Sequence, residues 1–516
     1  MIIRKREIVA VWLIFSIIVA ALSMVKIVTW DKAQGDSALY SQLFNNIIKT
    51  GHSESEIASN TLYYLFPNKA AMSLDEIMKL DLNTPPSDKL LDNYFTFHFY
   101  PFLYLFTPLK FIDTDILYPA AIVLSFILLI LIGYFYLRKK GISVITAMLF
   151  VLLIISHPAF SISIQGQLYP DRLFLGLALL FAFLCQSPLK NKFIFVLVAL
   201  LCWLVSERAG IIIGIFAILQ SILYYKKGDR QTKFKLFIGI MLLLSSCIVM
   251  KAIINNAYYS NYLITSFSAY ASYLKTPGVM EKISIFFFFS SIFLALSIFE
   301  WRATIIALVM LLPNLLGNIG GAEKTGWLTH YHTYYFPFLV WAAAVGLIKL
   351  SGKTKKWIVN VLLCLLIILI CTKSPYTPGF SFNNFKDNIV MKSISETRTY
   401  FFEGNAKKMM ALKKEFQNSI PSGSKVSAVE SAWYPFYKTA YISYYPVGIK
   451  EADYVVIMAQ KVNEGYKYGG FISYSGPAVS AEVDKYLLEK MKEYGYDLKN
   501  PVYVSPWGHA VIARKK

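Results

Sequence analysis

The sequence predicts a polytopic α-helical membrane protein with about eleven transmembrane helices, N-terminus in and C-terminus out, and a small C-terminal α/β extracytoplasmic domain. Three observations carry this. The chain of 516 residues is 56% hydrophobic and 16% charged, with a mean hydropathy of +0.49, whereas soluble domains carry about 25% charged residues. Apolar runs long enough to approach the ~30 Å of a hydrocarbon core recur through residues 1–373. Basic residues gather on alternate connections between those runs.

The first run, 8 to 28, follows Arg4-Lys5-Arg6. It exceeds the apolar core of a signal peptide and has no small-residue cleavage site before Trp30, so it reads as a retained span. Further runs lie at 117 to 137, 142 to 160, 193 to 207, 209 to 225, 234 to 253, 283 to 299, 303 to 319, 328 to 348 and 357 to 372, with a shorter one at 173 to 185. Threaded with the N-terminus inside, these spans put Arg138-Lys139-Lys140, Lys190 with Lys192, the 226 to 235 turn, Arg302 and the 349 to 356 turn on the cytoplasmic side. Those turns and the N-terminus hold eighteen basic and three acidic residues, while the short outer loops hold isolated cations. Removing one span inverts every downstream loop and destroys the asymmetry. Most of the net charge of +20 is therefore topological and implies no nucleic-acid partner.

Two long segments fall outside. The first loop, 29–115, carries eleven acidic and six basic residues. It belongs with the membrane domain, 1–373. The tail, 374–516, has helical patterns at 405 to 418 and 480 to 494 and β-type runs at 425 to 429, 440 to 445, 454 to 458 and 502 to 504. Five cysteines, Cys185, Cys202, Cys247, Cys364 and Cys371, all sit inside apolar runs, which implies neither a disulfide framework nor a zinc site.

Four groups of polar residues could carry chemistry. Asp31 and Asp36 follow the first span, where a carboxylate can deprotonate a hydroxyl or hold a metal ion. The simpler reading of Asp36 is a solvated acid or helix cap before the run 37 to 48. His98 lies in the aromatic stretch Tyr94 to Tyr104, where it either meets a phosphate or belongs to an interfacial belt. Asp171-Arg172 and Glu207-Arg208 sit at outer ends of spans, and ionisable residues at membrane depth are costly enough to imply a function or a paired partner. Either arginine could clamp a lipid phosphate through its planar fork. His330 and His332 follow the glycine-rich segment 317 to 326, which is not a GxxxxGK[ST] loop. Two positions apart, they do not share a helix face as a zinc pair does, and a polar lining of an outer cavity fits them better.

The order of Gly35-Asp36-Ser37-Ala38-Leu39-Tyr40, His98-Phe99-Tyr100-Pro101, Glu207 and His330-Tyr331 with Pro337 resembles a family of prokaryotic multispanning proteins known only as a domain of unknown function. The tail segments 420 to 428 and 452 to 457 match its pattern as well. That family is similar to the GT-C glycosyltransferases. The resemblance implies a GT-C-like fold in the prokaryotic plasma membrane, and sugar transfer from a polyprenyl-phosphate donor to an extracytoplasmic glycan, lipid or protein acceptor. It implies a first-loop carboxylate as base or metal contact, which falls to Asp36 with Asp31 as fallback, and a possible divalent cation, Mg or Mn. Asp31 and Asp36 are five apart, unlike the superfamily's commoner acidic dyad. Substrate contacts fall to His98, Asp171, Arg172, Glu207, Arg208, His330 and His332. A lipid-linked sugar flippase and a non-catalytic membrane scaffold are the alternatives; the paired broken helices of a transporter are not evident in the sequence.

Overall fold

The computed structural model describes residues 7–19 except 8, 12 and 18, then 35–58, 74–79, 93–225, 229–254, 266–318, 321–381, 384, 405–462, 465–469 and 481–515. Asp31 and most of the run 8 to 28 lie outside them. The longer helices are α1 (Asp36–Thr50), α2 (Thr114–Lys139), α3 (Val144–Ser156), α4 (Phe174–Gln186), α5 (Lys192–Val205), α6 (Glu207–Leu223), α7 (Arg230–Ala252), α8 (Val279–Ser297), α9 (Trp301–Leu316), α10 (Phe336–Lys353), α11 (Lys356–Thr372), α12 (Asn405–Asn418) and α13 (Ala481–Glu493). The chain forms two compact units, one of residues 1–25, 97–105 and 119–398, the other of 26–96, 106–118 and 399–516.

In the first unit, helices occupy each expected run that lies within the described residues. Four helices, Thr114–Lys139, Arg230–Ala252, Val279–Ser297 and Tyr331–Lys353, are long and apolar enough to cross a membrane. A fifth arises if the pair Val144–Ser156 and Pro158–Gln165, bent by 67°, counts as one span. The bend has a local cause: Pro158 holds the preceding His157 extended, at φ −71° and ψ 135°, and the helix breaks there. The expected spans at 173 to 185, 193 to 207, 209 to 225, 303 to 319 and 357 to 372 are helices of 13, 14, 17, 16 and 17 residues. Runs 193 to 207 and 209 to 225 are parted by Ser206, extended at φ −166° and ψ 162°, whose hydroxyl accepts from the Ala209 amide and starts α6.

Close packing here depends on small residues. A Cβ on Gly214 of α6 would lie 2.9 Å from the Gly239 carbonyl of α7, and one on Gly346 of α10 would lie 2.0 Å from the Leu296 carbonyl of α8. Helix α10 is buried continuously from Phe336 to Leu347, which makes it the central helix of this unit. At the predicted cytoplasmic end of α4, Lys235 Nζ donates to the carbonyls of Cys185 and Ser187 at 2.6 and 2.9 Å. One cation of the basic turns thus satisfies a helix C-terminus.

The second unit holds a six-stranded mixed sheet, with β1 (Lys425–Ala428), β2 (Tyr441–Tyr444), β3 (Tyr454–Val462), β4 (Gly465–Gly469), β5 (Tyr503–Val504) and β6 (His509–Ala513). The order is β2-β1-β3-β6-β5, and β4 pairs with β3. Strands β2, β1 and β3 run parallel, with Val426 opposite both Ile442 and Tyr454; the other pairings are antiparallel. The described first-loop residues before Phe97 group with this sheet, whereas the sequence expectation assigns the loop to the membrane part. Gln42 of α1 explains the grouping. Its amide donates to the Tyr437 carbonyl at 3.2 Å, while its oxygen accepts from Ser55 Oγ at 3.0 Å and the Ile57 amide at 2.9 Å.

Candidate functional site

The helical unit builds a buried polar cluster on three chain reversals. Ser206 turns the chain between α5 and α6, the single turn Pro170–Leu173 precedes α4, and Tyr331–Thr333 precedes α10. Asp171, 1% exposed, accepts from Tyr100 Oη at 3.0 Å and from Tyr334 Oη, which in turn accepts from Ser206 Oγ at 2.9 Å. Burial pushes the Asp171 carboxyl up from the ordinary range, and the positive charge of Arg208 opposes that shift.

Glu207 opens α6 with its side chain 1% exposed. Its Oε2 accepts from the Phe99 amide at 3.0 Å, and its Oε1 faces His98 Nδ1 at 3.3 Å and Arg208 Nε at 3.6 Å. Arg208, with one-fifth of its side chain exposed, donates from Nη1 to His330 Nε2 at 2.9 Å. A guanidinium can only donate, so Nε2 is the acceptor and the neutral ring carries its proton on Nδ1. That Nδ1 is buried and has no hydrogen-bond partner among the described residues. The structure therefore brings His98, Glu207, Arg208 and His330 into one connected group.

Arg172 and His332 have other surroundings. Arg172 is fully buried and donates to the backbone carbonyls of Ser163 and Leu328, the latter at 2.7 Å, joining the chain before α4 to the chain before α10. His332, 1% exposed, stacks on Trp327 at 4.2 Å between ring centroids, and its Nδ1 lies 2.8 Å from Tyr335 Oη. Sequence reasoning missed Tyr100, Ser206 and Tyr334. Tyr100 lies in an aromatic stretch that reads as interfacial and Tyr334 in a segment that reads as a polar cavity lining, and their hydroxyls give no pattern of their own.

The second unit presents a separate pair of acids. Asp36 begins α1, and Gly35 before it adopts φ +34°. The Gly35 amide donates to the Glu430 carbonyl at 3.3 Å, and a Cβ at position 35 would lie 1.6 Å from Glu430 Oε1. Glycine is required there for conformation and for space. Glu430 stands just beyond the C-terminal end of parallel strand β1, in the turn Glu430–Ala432. Burial, and secondarily the negative charge of Asp36, push its carboxyl up to about 8. Two neighbouring acids, one holding its proton at neutral pH, suit proton transfer. Glu430 was missed by sequence reasoning; its only sequence signal is its position at the end of a β-type run. Among the described residues no group of three or more His, Cys, Asp or Glu is arranged to hold a metal ion.

The profile of a family described as "Predicted membrane protein (DUF2079)" matches residues 84–456. No curated protein matches the chain. Two solved structures of ArnT from Cupriavidus metallidurans are similar to it. The one bound to undecaprenyl phosphate has 11% identity and a TM-score of 0.49, over 98% of this chain and 97% of its own. The apo form has 10% identity and a TM-score of 0.45, over 98% of both chains.

Proposed function

The chain belongs to the DUF2079 family of predicted membrane proteins, and from that premise we propose that it is a GT-C-type glycosyltransferase of a prokaryotic plasma membrane. It would take a sugar from a polyprenyl-phosphate donor and pass it to an extracytoplasmic glycan, lipid or protein. The proposal includes the topology read from the basic turns, with about eleven spans, the N-terminus inside and the α/β tail outside.

One observation carries it. His330 is held by Arg208 with its remaining proton on a buried Nδ1 that no described residue accepts. A neutral N–H donor beside a guanidinium is matched to a phosphate oxygen, which offers several acceptor sites and negative charge. Glu207 orients Arg208 through a contact at Nε. In the proposed reaction the acceptor hydroxyl gives its proton to Asp36 and attacks the anomeric carbon. The bond from that carbon to the phosphate oxygen breaks, and the phosphate leaves with the electron pair. Arg208 and His330 stabilise the charge that develops on it. Asp36 takes the role of base from the family resemblance, and the protonated Glu430 beside it keeps a second negative charge away. Arg172, with its guanidinium engaged by carbonyls, is assigned a positioning role instead of a phosphate contact.

The test is Asp36→Asn in full-length protein reconstituted with a radiolabelled polyprenyl-phosphate sugar. Loss of covalent product at unchanged expression is expected. Undiminished transfer removes Asp36 from the mechanism, and lipid-linked sugar that crosses the bilayer without forming product identifies a flippase.

A further inference from the structure

A second polar site lies within the helical unit at the end that carries the basic turns. The loop after α2 and the turn joining α10 to α11 enclose a cavity of about 190 Å³. Lys140 and Lys356 stand on its two sides, Ser143, Thr146 and Ser351 contribute hydroxyls, and no acidic residue lines it. Two nearby cations are neutralised locally: Arg138 grips Glu7 through Nε at 2.6 Å and Nη2 at 3.1 Å, and Lys349 pairs with Glu300. Lys140 and Lys356 have no ion-pair partner among the described residues.

The backbone adds to the positive field. The N-terminus of α3, 13 residues long, reaches the cavity at Ser143 and Thr146, and that of α11, 17 residues long, reaches it at Lys356. Helix α11 has no side-chain cap, so no side chain occupies its first-turn amides. Ser143 and Thr146 are already engaged: Ser143 caps α3, and Thr146 donates to Asn360 at 2.8 Å. Ser351 is different, because its Oγ is buried with no hydrogen-bond partner among the described residues. Two lysines, two helix N-termini and an unsatisfied hydroxyl, with no carboxylate, specify an anion with several acceptor oxygens.

We propose that this cavity binds the phosphate of an anionic phospholipid. The apolar surroundings favour a lipid over a free anion: Ile145 and Trp357, each next in sequence to a helix start, are 64% exposed, and Val144 is 42% exposed. Acyl chains lie along those side chains while the phosphate meets the lysines, an arrangement expected of basic pockets between membrane helices.

The test uses purified full-length protein in detergent, with its unfolding midpoint followed against added phosphatidylglycerol, phosphatidylcholine and inorganic phosphate. Phosphatidylglycerol should raise the midpoint saturably, and phosphatidylcholine should not. The double variant Lys140→Gln/Lys356→Gln should bind phosphatidylglycerol about 30-fold more weakly. Lys140→Arg/Lys356→Arg should retain the response, and Ser351→Ala should reduce it, so that a misfolded double variant does not decide the matter. An equal saturable response to inorganic phosphate, lost in the double variant, keeps the phosphate site and overturns the lipid assignment. A phosphatidylglycerol response unchanged in both the double variant and Ser351→Ala overturns the site.

Discussion

Replacing Glu430 by glutamine isolates the electrostatic consequence of placing its carboxyl beside Gly35 and Asp36. In the folded chain this group holds its proton up to about pH 8, against an ordinary value of 4.5. Between those values the folded state binds more protons than the unfolded one, so stability falls as pH rises through that window and the full cost is present above it. At about 1.4 kcal/mol for each pH unit separating the two, the ceiling is about 5 kcal/mol. The side chain is half-buried, and solvent screening reduces this to roughly 2 kcal/mol. Glutamine keeps the shape and the backbone carbonyl that accepts from Gly35 but cannot ionise. Unfolding midpoints of the full-length protein in detergent should therefore nearly coincide for wild type and Glu430→Gln at pH 5. At pH 9 the variant should be the more stable by about 2 kcal/mol. Asp36→Asn should narrow that difference without abolishing it, because burial is the larger cause of the shift. A difference that is the same at pH 5 and pH 9 refutes the account.

Gly35→Ala combines a left-handed backbone with overlap of the Glu430 carboxyl and should destabilise by about 1–3 kcal/mol. Pairing it with Glu430→Ala should recover part of that loss, and strict additivity of the two midpoint shifts would deny the contact. Gly346→Ala pushes a methyl into the Leu296 carbonyl across α8 and α10, and a fall of about 1–3 kcal/mol in stability is expected in the same assay. Glu207→Ala removes the acceptor of the Phe99 amide and leaves Arg208 without its carboxylate, at a cost of about 3–5 kcal/mol, whereas Glu207→Gln should lose less. His330→Ala should weaken sugar transfer about 100-fold with a near-native midpoint; full activity would remove its Nδ1 from phosphate binding.

The helical part of this architecture was readable because apolar runs are local signals. Helix α10 declares itself by being apolar on every face, and the basic turns separate one run from the next. Helix length was less readable: the run read as 193 to 207 stops at Val205, because Ser206 ends one helix and caps the next. In the second unit β4 and β6 escaped notice; β4 begins and ends on Gly465 and Gly469, which weaken a strand pattern. The polar site divides the same way. Glu207, Arg208 and His330 stand out as ionisable groups in apolar surroundings, while the hydroxyls of Tyr100 and Tyr334 vanish among other aromatics. Glu430 depends on contacts such as that of Gln42 with Tyr437, 395 positions away, and no local pattern encodes such a pairing.

The reversal at Ser206 also bears on the lipid around it. In the proposed topology α5 and α6 each cross the bilayer, and their 14 and 17 residues would then supply about 21 and 26 Å of helix against a hydrocarbon core near 30 Å. Helices this short leave a hydrophobic mismatch, relieved when the bilayer thins or water enters above the turn. Either response brings the aqueous boundary down toward Glu207 and Arg208 and lowers the cost of keeping them charged. It also shortens the distance that a lipid-borne headgroup must sink to meet them. In that topology the brevity of these two helices would shape the solvent as well as the protein.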